Sequence, residues 1–176
     1  MVIILGIDPG PVTHGAVLYD SKARRVVWSD KAATRLDLVP LWHDYSGLTV
    51  LVERPAAMGA LGIGIVGHML DTAWEAGGLA YGGTVAGCTV HTMTRREVLR
   101  ALGVLSGLGS SDSRVRAACI ADHETPGGPP AVGRKATPGP LYGVSSHAWQ
   151  ATGPGLARLA PTRNHKETTC TTTKET

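Results

Sequence analysis

Runs of apolar residues, broken by short polar turns, fill the first half of the chain, and this pattern predicts a sheet. The first three runs, at residues 2–7, 15–19 and 24–28, are separated by turns of Pro, Gly, Asp and Ser, which is typical of an antiparallel meander. The fourth run, at residues 49–52, is continuously apolar, and this indicates a central strand with parallel neighbours. A fifth strand is predicted over residues 84–92.

Helical spacing of apolar residues predicts the other elements. Four helices are expected over residues 33–43, 63–76, 95–102 and 112–123. A last helix begins near Ser145 or Ser146, and Gly153-Pro154-Gly155 is expected to weaken it or to end it early. Residues 125–140, rich in Pro and Gly, are predicted to form a mobile loop, and residues 161–176 a disordered Thr-rich tail. This order predicts one α/β domain over residues 1–160, with three layers and a central five-stranded mixed sheet.

Composition indicates one globular domain but does not identify its function. The chain has 176 residues, a hydrophobic content of 43%, a net charge of +3 and a pI near 8.9, which suits one globular domain and permits a polyanionic partner without requiring one. Cys88, Cys119 and Cys170 are widely spaced and form no metal-binding pair, so we expect thiols in a reducing cytoplasm. The apolar start of the chain is interrupted by Asp8, and we expect neither a signal peptide nor a membrane span.

Two carboxylates stand where predicted buried strands end. Asp8 follows the apolar run that starts at Ile3, Glu53 follows the run that starts at Leu48, and a Pro comes soon after each acid. A strand that ends in an acid carries it to the edge of a sheet on a rigid support. One such acid is more often a turn cap or a surface residue. Two of them indicate a divalent-metal site and, with it, phosphate chemistry.

Four segments of the chain, taken in order, resemble the motifs of one nuclease family. Ile4-Leu5-Gly6-Ile7-Asp8-Pro9-Gly10, followed by Thr13 and Gly15, resembles the opening motif of the RuvC-type Holliday junction resolvases. Val52-Glu53 resembles their second motif, residues 109–116 resemble their third region, and residues 143–151 resemble their closing helix, most closely that of phage-encoded members. The order of the four motifs is more specific than any single motif.

This resemblance implies a fold, an activity and a set of site residues. It implies a ribonuclease-H-like fold and a homodimeric endonuclease, dependent on Mg²⁺ or Mn²⁺, that nicks four-way DNA junctions symmetrically with two ions in each active site. By position, Asp8 would contact both ions and Glu53 would hold one of them. The closing helix of the family supplies two more ligands one turn apart, and those positions are His147 and Gln150 here. His147 would ligate a metal or assist the attacking water.

Gln150 departs from the family pattern, because the family has an acid at this position. With Asp8 and Glu53 as the only carboxylates, the site would carry too little negative charge for two divalent ions. Three explanations stay open: Asp112 supplies the missing acid, the second ion is held weakly and largely through DNA, or the protein is impaired. The first two are favoured. Asp112 would otherwise act only as a helix cap.

Other positions are candidates for contacts with DNA and with a second subunit. Five arginines are expected to bind phosphates: Arg54, Arg95, Arg96, Arg114 and Arg116. Met58 or Leu61 falls where family members present an apolar residue that could wedge into the junction, although ordinary packing is the favoured interpretation. Gly62, Gly64 and Gly67 permit close helix approach, so the helix around residues 63–76 is expected to serve as core and dimer interface.

Three other interpretations are weighed against a resolvase. A sugar-kinase or actin-like ATPase would need two domains of this kind. Another ribonuclease-H-fold nuclease, acting on branched DNA or RNA–DNA hybrid, would share Asp8 and Glu53. A non-catalytic junction binder would be consistent with Gln150. The favoured prediction is a phage-encoded, metal-dependent resolvase that acts on branched DNA in the bacterial cytoplasm, without membrane association.

Overall fold

A computed structural model describes residues 2–56 and 63–159 of the chain. The strands are β1 (Ile3–Asp8), β2 (His14–Asp20), β3 (Arg25–Ala33), β4 (Thr49–Arg54), β5 (Thr89–Thr94), β6 (Gly133–Arg134) and β7 (Thr137–Pro138). The helices are α1 (Arg35–Asp44), α2 (Ile63–Val85), α3 (Arg95–Ala101), α4 (Ser111–His123) and α5 (Ala148–Leu159). The predicted order of elements is therefore confirmed, with a short extra hairpin.

The central sheet has five strands in the order β3-β2-β1-β4-β5. β1 pairs with β2 and β2 with β3 in antiparallel fashion, whereas β1, β4 and β5 run parallel to one another. The predicted α/β fold with a five-stranded mixed sheet is confirmed. Because β1 and β4 are parallel neighbours, their carboxyl ends lie at the same edge of the sheet.

Helices cover both faces of this sheet, and each face has its own core. On one face, Leu5, Leu18 and Val50 pack with Leu38 of α1 and Leu79 of α2. On the other face, buried residues of β2 pack with residues of α3, α4 and α5, among them Val17, Tyr19, Val98, Val115 and Trp149. The molecule thus has the three layers that the sequence predicts, and the second face carries the candidate site.

Two glycines let α5 lie directly on the sheet. A Cβ atom at Gly6 in β1 would collide with the backbone carbonyl of Ala151, and one at Gly15 in β2 would collide with that of His147. Only glycine leaves room for such an approach of helix to strand. The start of α5 is therefore held against the carboxyl end of β1, where Asp8 lies.

The last helix does not end where its sequence predicts. α5 continues through Gly153-Pro154-Gly155 to Leu159, and its residues from Ala148 to Ala157 are buried. Gly153 packs against Val115 and Val98, where a side chain would not fit. Burial of the whole helix offsets the poor helix propensity of these residues and the backbone hydrogen bond that Pro154 cannot donate.

The boundary between α2 and β5 also differs from the prediction. α2 continues to Val85, and β5 starts only at Thr89. Thr84 is β-branched and indicates a strand, but it lies in the last turn of α2, where its hydroxyl donates to the carbonyl of Ala80 at 2.9 Å. Packing of Gly82 against the ring of Trp42 is a tertiary contact that local propensity does not reveal.

The Pro- and Gly-rich segment, residues 125–140, contains secondary structure that the sequence does not predict. It contains the β6–β7 hairpin, and the carbonyl of Pro140 accepts a hydrogen bond from the amide of Val26 in the edge strand β3. The predicted tail, the boundary at residue 160, and the candidate wedge residues Met58 and Leu61 lie outside the described residues. Within residues 2–56 and 63–159, no helix is long and apolar enough to cross a membrane.

Candidate active site

Three carboxylates gather at the carboxyl edge of the sheet, and we call them the acid cluster: Asp8, Glu53 and Asp112. Asp8 ends β1 and Glu53 lies near the end of β4, one position beyond the register pair Ile7 and Val52. Asp112 comes from the first turn of α4. The strands thus deliver the two acids predicted from the sequence, and the helix adds the third.

Arg95 lies among these carboxylates. Its Nε is 3.0 Å from Oε1 of Glu53, and its Nη2 is 3.7 Å from Oδ1 of Asp8 and 3.7 Å from Oδ1 of Asp112. Arg95 is the first residue of α3, directly after the N-cap Thr94 that ends β5. The start of α3 therefore places a guanidinium at the same edge of the sheet as the acids. Sequence reasoning assigned Arg95 to DNA contacts and missed this position.

Gln150 faces the same guanidinium from α5. Nη1 of Arg95 donates a hydrogen bond to Oε1 of Gln150 at 2.7 Å, and Gln150 is buried. The amide is thus not a vacant ligand position but the acceptor that fixes one edge of the guanidinium. A helix that begins at Ala148 presents Gln150 to Arg95 because its backbone lies on Gly6 and Gly15.

His147 lies beside Asp8 but is open to solvent. Its Nδ1 is 3.7 Å from Oδ2 of Asp8, and 73% of its side chain is exposed. This distance is too long for a direct hydrogen bond, yet it places an imidazole next to a carboxylate at the edge of the cluster.

Burial dominates the electrostatics of the two strand acids. It raises the pKa of Glu53 to about 8, although Arg95 opposes the shift, and Asp8 and Asp112 add to it. Burial also raises the pKa of Asp8, against the lowering effects of Arg95 and His147. One cation does not fully compensate three neighbouring carboxylates, and the cluster therefore favours additional positive charge.

The residues suit a hard divalent cation in their chemistry. Oε2 of Glu53 is buried and has no hydrogen-bond partner among the described residues, and carboxylate oxygens are the ligands that Mg²⁺ and Mn²⁺ prefer. Within the described ranges, however, no three His, Cys, Asp or Glu side chains stand close enough together to hold a metal ion. Arg95 contacts all three acids, so a metal would have to share or take over that position.

The five arginines predicted to bind DNA have different environments. Arg95 is engaged with the acid cluster, and Arg114 donates to the carbonyls of Val104 and Leu105 at 2.9 and 2.6 Å. Arg96 and Arg54 are exposed, with Arg54 4.0 Å from Glu97. Arg116 is exposed too, and its guanidinium lies 5.4 Å from the centre of the Trp149 ring. The exposed arginines can reach a phosphate without breaking a short ion pair.

Arg116 borders a groove next to the acid cluster. The groove, of about 480 Å³, lies between α4 and the turn before α5, and its lining includes Asp112, Ser113, Ser146 and Gln150. A groove that runs from an exposed arginine to Asp112 can receive an extended polyanion.

Comparison with known proteins defines the fold. A structure titled "T. thermophilus RuvC in complex with Holliday junction substrate" matches this chain with a TM-score of 0.58 and 16% sequence identity, covering 90% of this chain and 93% of that one. A second structure, of Thermus thermophilus RuvC, matches with a TM-score of 0.52 at the same identity and coverage. No protein-family model matches the sequence, and no curated protein does. The chain thus has a ribonuclease-H-like α/β fold. Within that class, its similarity is to RuvC.

Proposed function

We propose that this protein is a metal-dependent endonuclease that resolves four-way DNA junctions by paired, symmetric nicks. The observation that carries the proposal is the acid cluster, three carboxylates at one edge of a RuvC-like sheet. The neighbouring RuvC structure contains a Holliday junction substrate, which supports branched DNA as the substrate class. The motif order and the groove beside Arg116 support the same choice.

Mg²⁺ or Mn²⁺, with two ions per site, is the proposed cofactor. Asp8, Glu53 and Asp112 would hold it after moving closer together around the position that Arg95 now occupies. When bound, such ions lower the pKa of the attacking water and stabilise the charge on the leaving 3′ oxygen. His147, next to Asp8 and open to solvent, is placed to take up a proton from that water. Arg95 and Gln150 fix the other side of the site.

A homodimer would provide two such sites for opposed strands, and the exposed side of α2 is its proposed interface. We call Val66, Leu70, Trp74, Tyr81 and Val85 the α2 apolar face; they recur four or seven residues apart and are 41 to 77% exposed. Residues at this spacing share one side of a helix. A twofold interface needs one self-complementary surface, and this row of large apolar side chains supplies one.

The proposed dimer is tested by light scattering at the concentrations used for cleavage. Trp74→Glu should convert the dimer to a monomer, because it buries a charge at the centre of the α2 apolar face. Leu108→Glu is the matched control, since Leu108 is a 98% exposed apolar residue outside that face. A wild-type protein that is monomeric at those concentrations would contradict the proposal.

The activity is tested with a labelled synthetic four-way junction in Mg²⁺ and in Mn²⁺. We expect paired nicks in the junction, no cleavage of linear duplex or RNA–DNA hybrid, and a loss of about a hundredfold or more in Asp8→Asn. Cleavage of the hybrid instead would indicate another ribonuclease-H-fold nuclease. An unchanged rate in Asp8→Asn would place the chemistry elsewhere.

One observation favours a second candidate, a protein that binds junctions without cutting them. Arg95 neutralises part of the acid cluster and Gln150 is neutral, so the site has less net negative charge than three free carboxylates. Tight binding to the junction with no cleavage in either metal would support this candidate over the nuclease.

We also propose that the protein is phage-encoded and acts in the cytoplasm of a bacterial host. The phage origin is supported by the resemblance of residues 143–151 to phage-encoded members. The cytoplasmic location is supported by the free thiols of Cys88 and Cys119.

A further inference from the structure

We infer that Arg95 is the resident counter-ion of the acid cluster, that Gln150 positions it there, and that a divalent metal must compete with it to enter. This inference rests on the proposed function, because it takes the acid cluster to be the metal site. It assigns to Arg95 a role that differs from the phosphate contact predicted from the sequence. It also assigns a role to Gln150, which stands where the resolvases that the chain resembles have an acid: Gln150 holds Arg95 in place.

Arg95 makes two close contacts, with Gln150 and Glu53, and two longer ion pairs, with Asp8 and Asp112. The bond from Nη1 of Arg95 to Oε1 of Gln150 is 2.7 Å long. The distances to Asp8 and Asp112 are 3.7 Å, beyond the range of a direct hydrogen bond. Nε of Arg95 is 3.0 Å from Glu53. A neutral amide thus holds the guanidinium by its shortest contact, and the acids surround it.

The main chain is fixed at both residues of this hydrogen bond. Thr94 caps α3: Glu97 accepts hydrogen bonds from the amide and the hydroxyl of Thr94, at 2.7 and 2.8 Å. This cap fixes the first residue of the helix, which is Arg95. Gln150 is fixed in turn, because α5 lies against Gly6 and Gly15. Both partners of the 2.7 Å bond therefore come from rigid elements.

The guanidinium of Arg95 and a divalent metal ion would compete for the same position in the acid cluster. Both would draw on the same oxygens of Asp8, Glu53 and Asp112, and two cations a few ångströms apart repel each other in a partly buried site. With only 24% of its side chain exposed, Arg95 is poorly screened by solvent. In the free protein it therefore lowers the affinity of the cluster for metal.

This competition predicts that DNA binding promotes metal binding. A DNA phosphate in the groove beside Asp112 would add negative charge and offer Arg95 another anion to contact. Metal binding would then be weak without DNA and stronger with it. Arg95 is a positioning and gating residue in this account, since it acts through the carboxylates.

The inference is tested by calorimetric titration of Mn²⁺ into the full-length protein in the absence of DNA. Arg95→Gln should bind Mn²⁺ about tenfold more tightly than wild type, or more, because it removes the competing charge. Arg96→Gln is the matched control: it removes the same charge from the next residue of α3, which is exposed, and should change the affinity by less than about twofold. Asp8→Asn should weaken binding.

A second measurement keeps the test valid if a variant loses stability. Melting temperatures with and without Mn²⁺ should show a larger stabilisation by metal in Arg95→Gln than in wild type, and an intermediate one in Arg95→Lys. Equal or weaker Mn²⁺ affinity in Arg95→Gln, with binding still sensitive to Asp8→Asn, would overturn the inference alone. Binding unaffected by Asp8→Asn would overturn the proposed metal site, and the inference with it.

Discussion

Two polar clusters lie at the same end of the sheet, on opposite faces, and they are built in parallel ways. One is the acid cluster with Arg95. The other, which we call the His14 cluster, contains His14, Arg35 and Glu75: Oε2 of Glu75 is 2.7 Å from Nε of Arg35 and 3.6 Å from Nε2 of His14. His14 precedes Gly15, the register partner of Asp8. In each cluster, the first residue of a helix supplies a guanidinium to a glutamate.

The same local sequence rule places both arginines. Thr34-Arg35-Leu36-Asp37 and Thr94-Arg95-Arg96-Glu97 each begin a helix with an N-cap threonine, whose amide and hydroxyl donate to the acid three residues on. Each turn follows a strand of the sheet, β3 or β5. The cap fixes the helix start, and the arginine next to it projects over the sheet edge.

The difference between the clusters lies in their charge. Buried polar atoms without partners among the described residues occur in both, since both ring nitrogens of His14 lack a hydrogen bond, as does Oε2 of Glu53. Burial lowers the pKa of His14, which keeps its imidazole neutral, so one carboxylate meets one guanidinium there. The acid cluster instead has three carboxylates for one guanidinium. An excess of acidic groups over cations, rather than an unpartnered atom, distinguishes the candidate site from a structural ion pair.

The largest expected effect concerns the pH dependence of stability. The pKa of Glu53 rises from 4.5 in the unfolded chain to about 8 in the folded one, so between these pH values the folded protein binds more protons. The free energy of unfolding should therefore fall as the pH rises through this window, by about 4 kcal/mol in the absence of metal. Urea denaturation at several pH values measures it.

Two variants make this measurement specific. Glu53→Gln should remove most of the fall, because it removes the titrating group. Glu124→Gln, which alters an exposed carboxylate outside both clusters, should keep the wild-type profile. If Glu53→Gln keeps the full slope, the excess charge of the acid cluster does not weaken the fold, and the contrast with the His14 cluster fails.

A smaller effect is expected from the His14 cluster. Glu75→Gln leaves Arg35 without its carboxylate, but 42% of the Arg35 side chain is exposed. Solvent therefore screens part of the loss, and we expect a destabilisation of about 1–2 kcal/mol. Junction cleavage should be unchanged, since neither partner belongs to the acid cluster.

Asp122→Asn is the control for this change, because it breaks the exposed pair between Arg24 and Asp122 and should cost about 0–1 kcal/mol. Denaturant midpoints and junction cleavage are measured on the same preparations. Loss of cleavage in Glu75→Gln, with stability preserved, would show that the His14 cluster takes part in the reaction and that the two clusters are not functionally distinct.

The parts of the site that sequence predicted are those that local pattern determines. Apolar runs that end in Asp8 and Glu53 define strand ends, and parallel pairing of β1 and β4 brings such ends together. Asp112 was one of three explanations for the missing acid, and α4 does bring it near the other two. The α/β fold followed from the order of strand and helix patterns.

The parts that were missed depend on contacts between distant segments. The pairing of Arg95 with Gln150 joins residues 55 positions apart, and nothing local to either residue indicates it. The Thr94 cap was a usable signal, since it places Arg95 at the end of a parallel strand next to β4. The course of α5 beyond Gly153 was missed for a similar reason, because burial against α3 and α4 outweighs helix propensity.

The smallest expected effect sharpens the role of Gln150. Gln150→Glu keeps an acceptor for Arg95 and adds a fourth carboxylate. Two consequences then oppose each other: the new charge attracts metal, and it also holds the competing guanidinium more firmly. We therefore expect Mn²⁺ affinity to rise by only about twofold to fivefold in the single variant. In an Arg95→Gln background, the same change should produce a clearly larger gain in Mn²⁺ affinity, because no guanidinium remains to pair with the added carboxylate.

Calorimetric titration of Mn²⁺ into wild type, the two single variants and the double variant measures the coupling between residues 95 and 150 directly. Equal gains in both backgrounds would mean that residues 95 and 150 act independently, and that the 2.7 Å bond between them has no part in setting metal affinity.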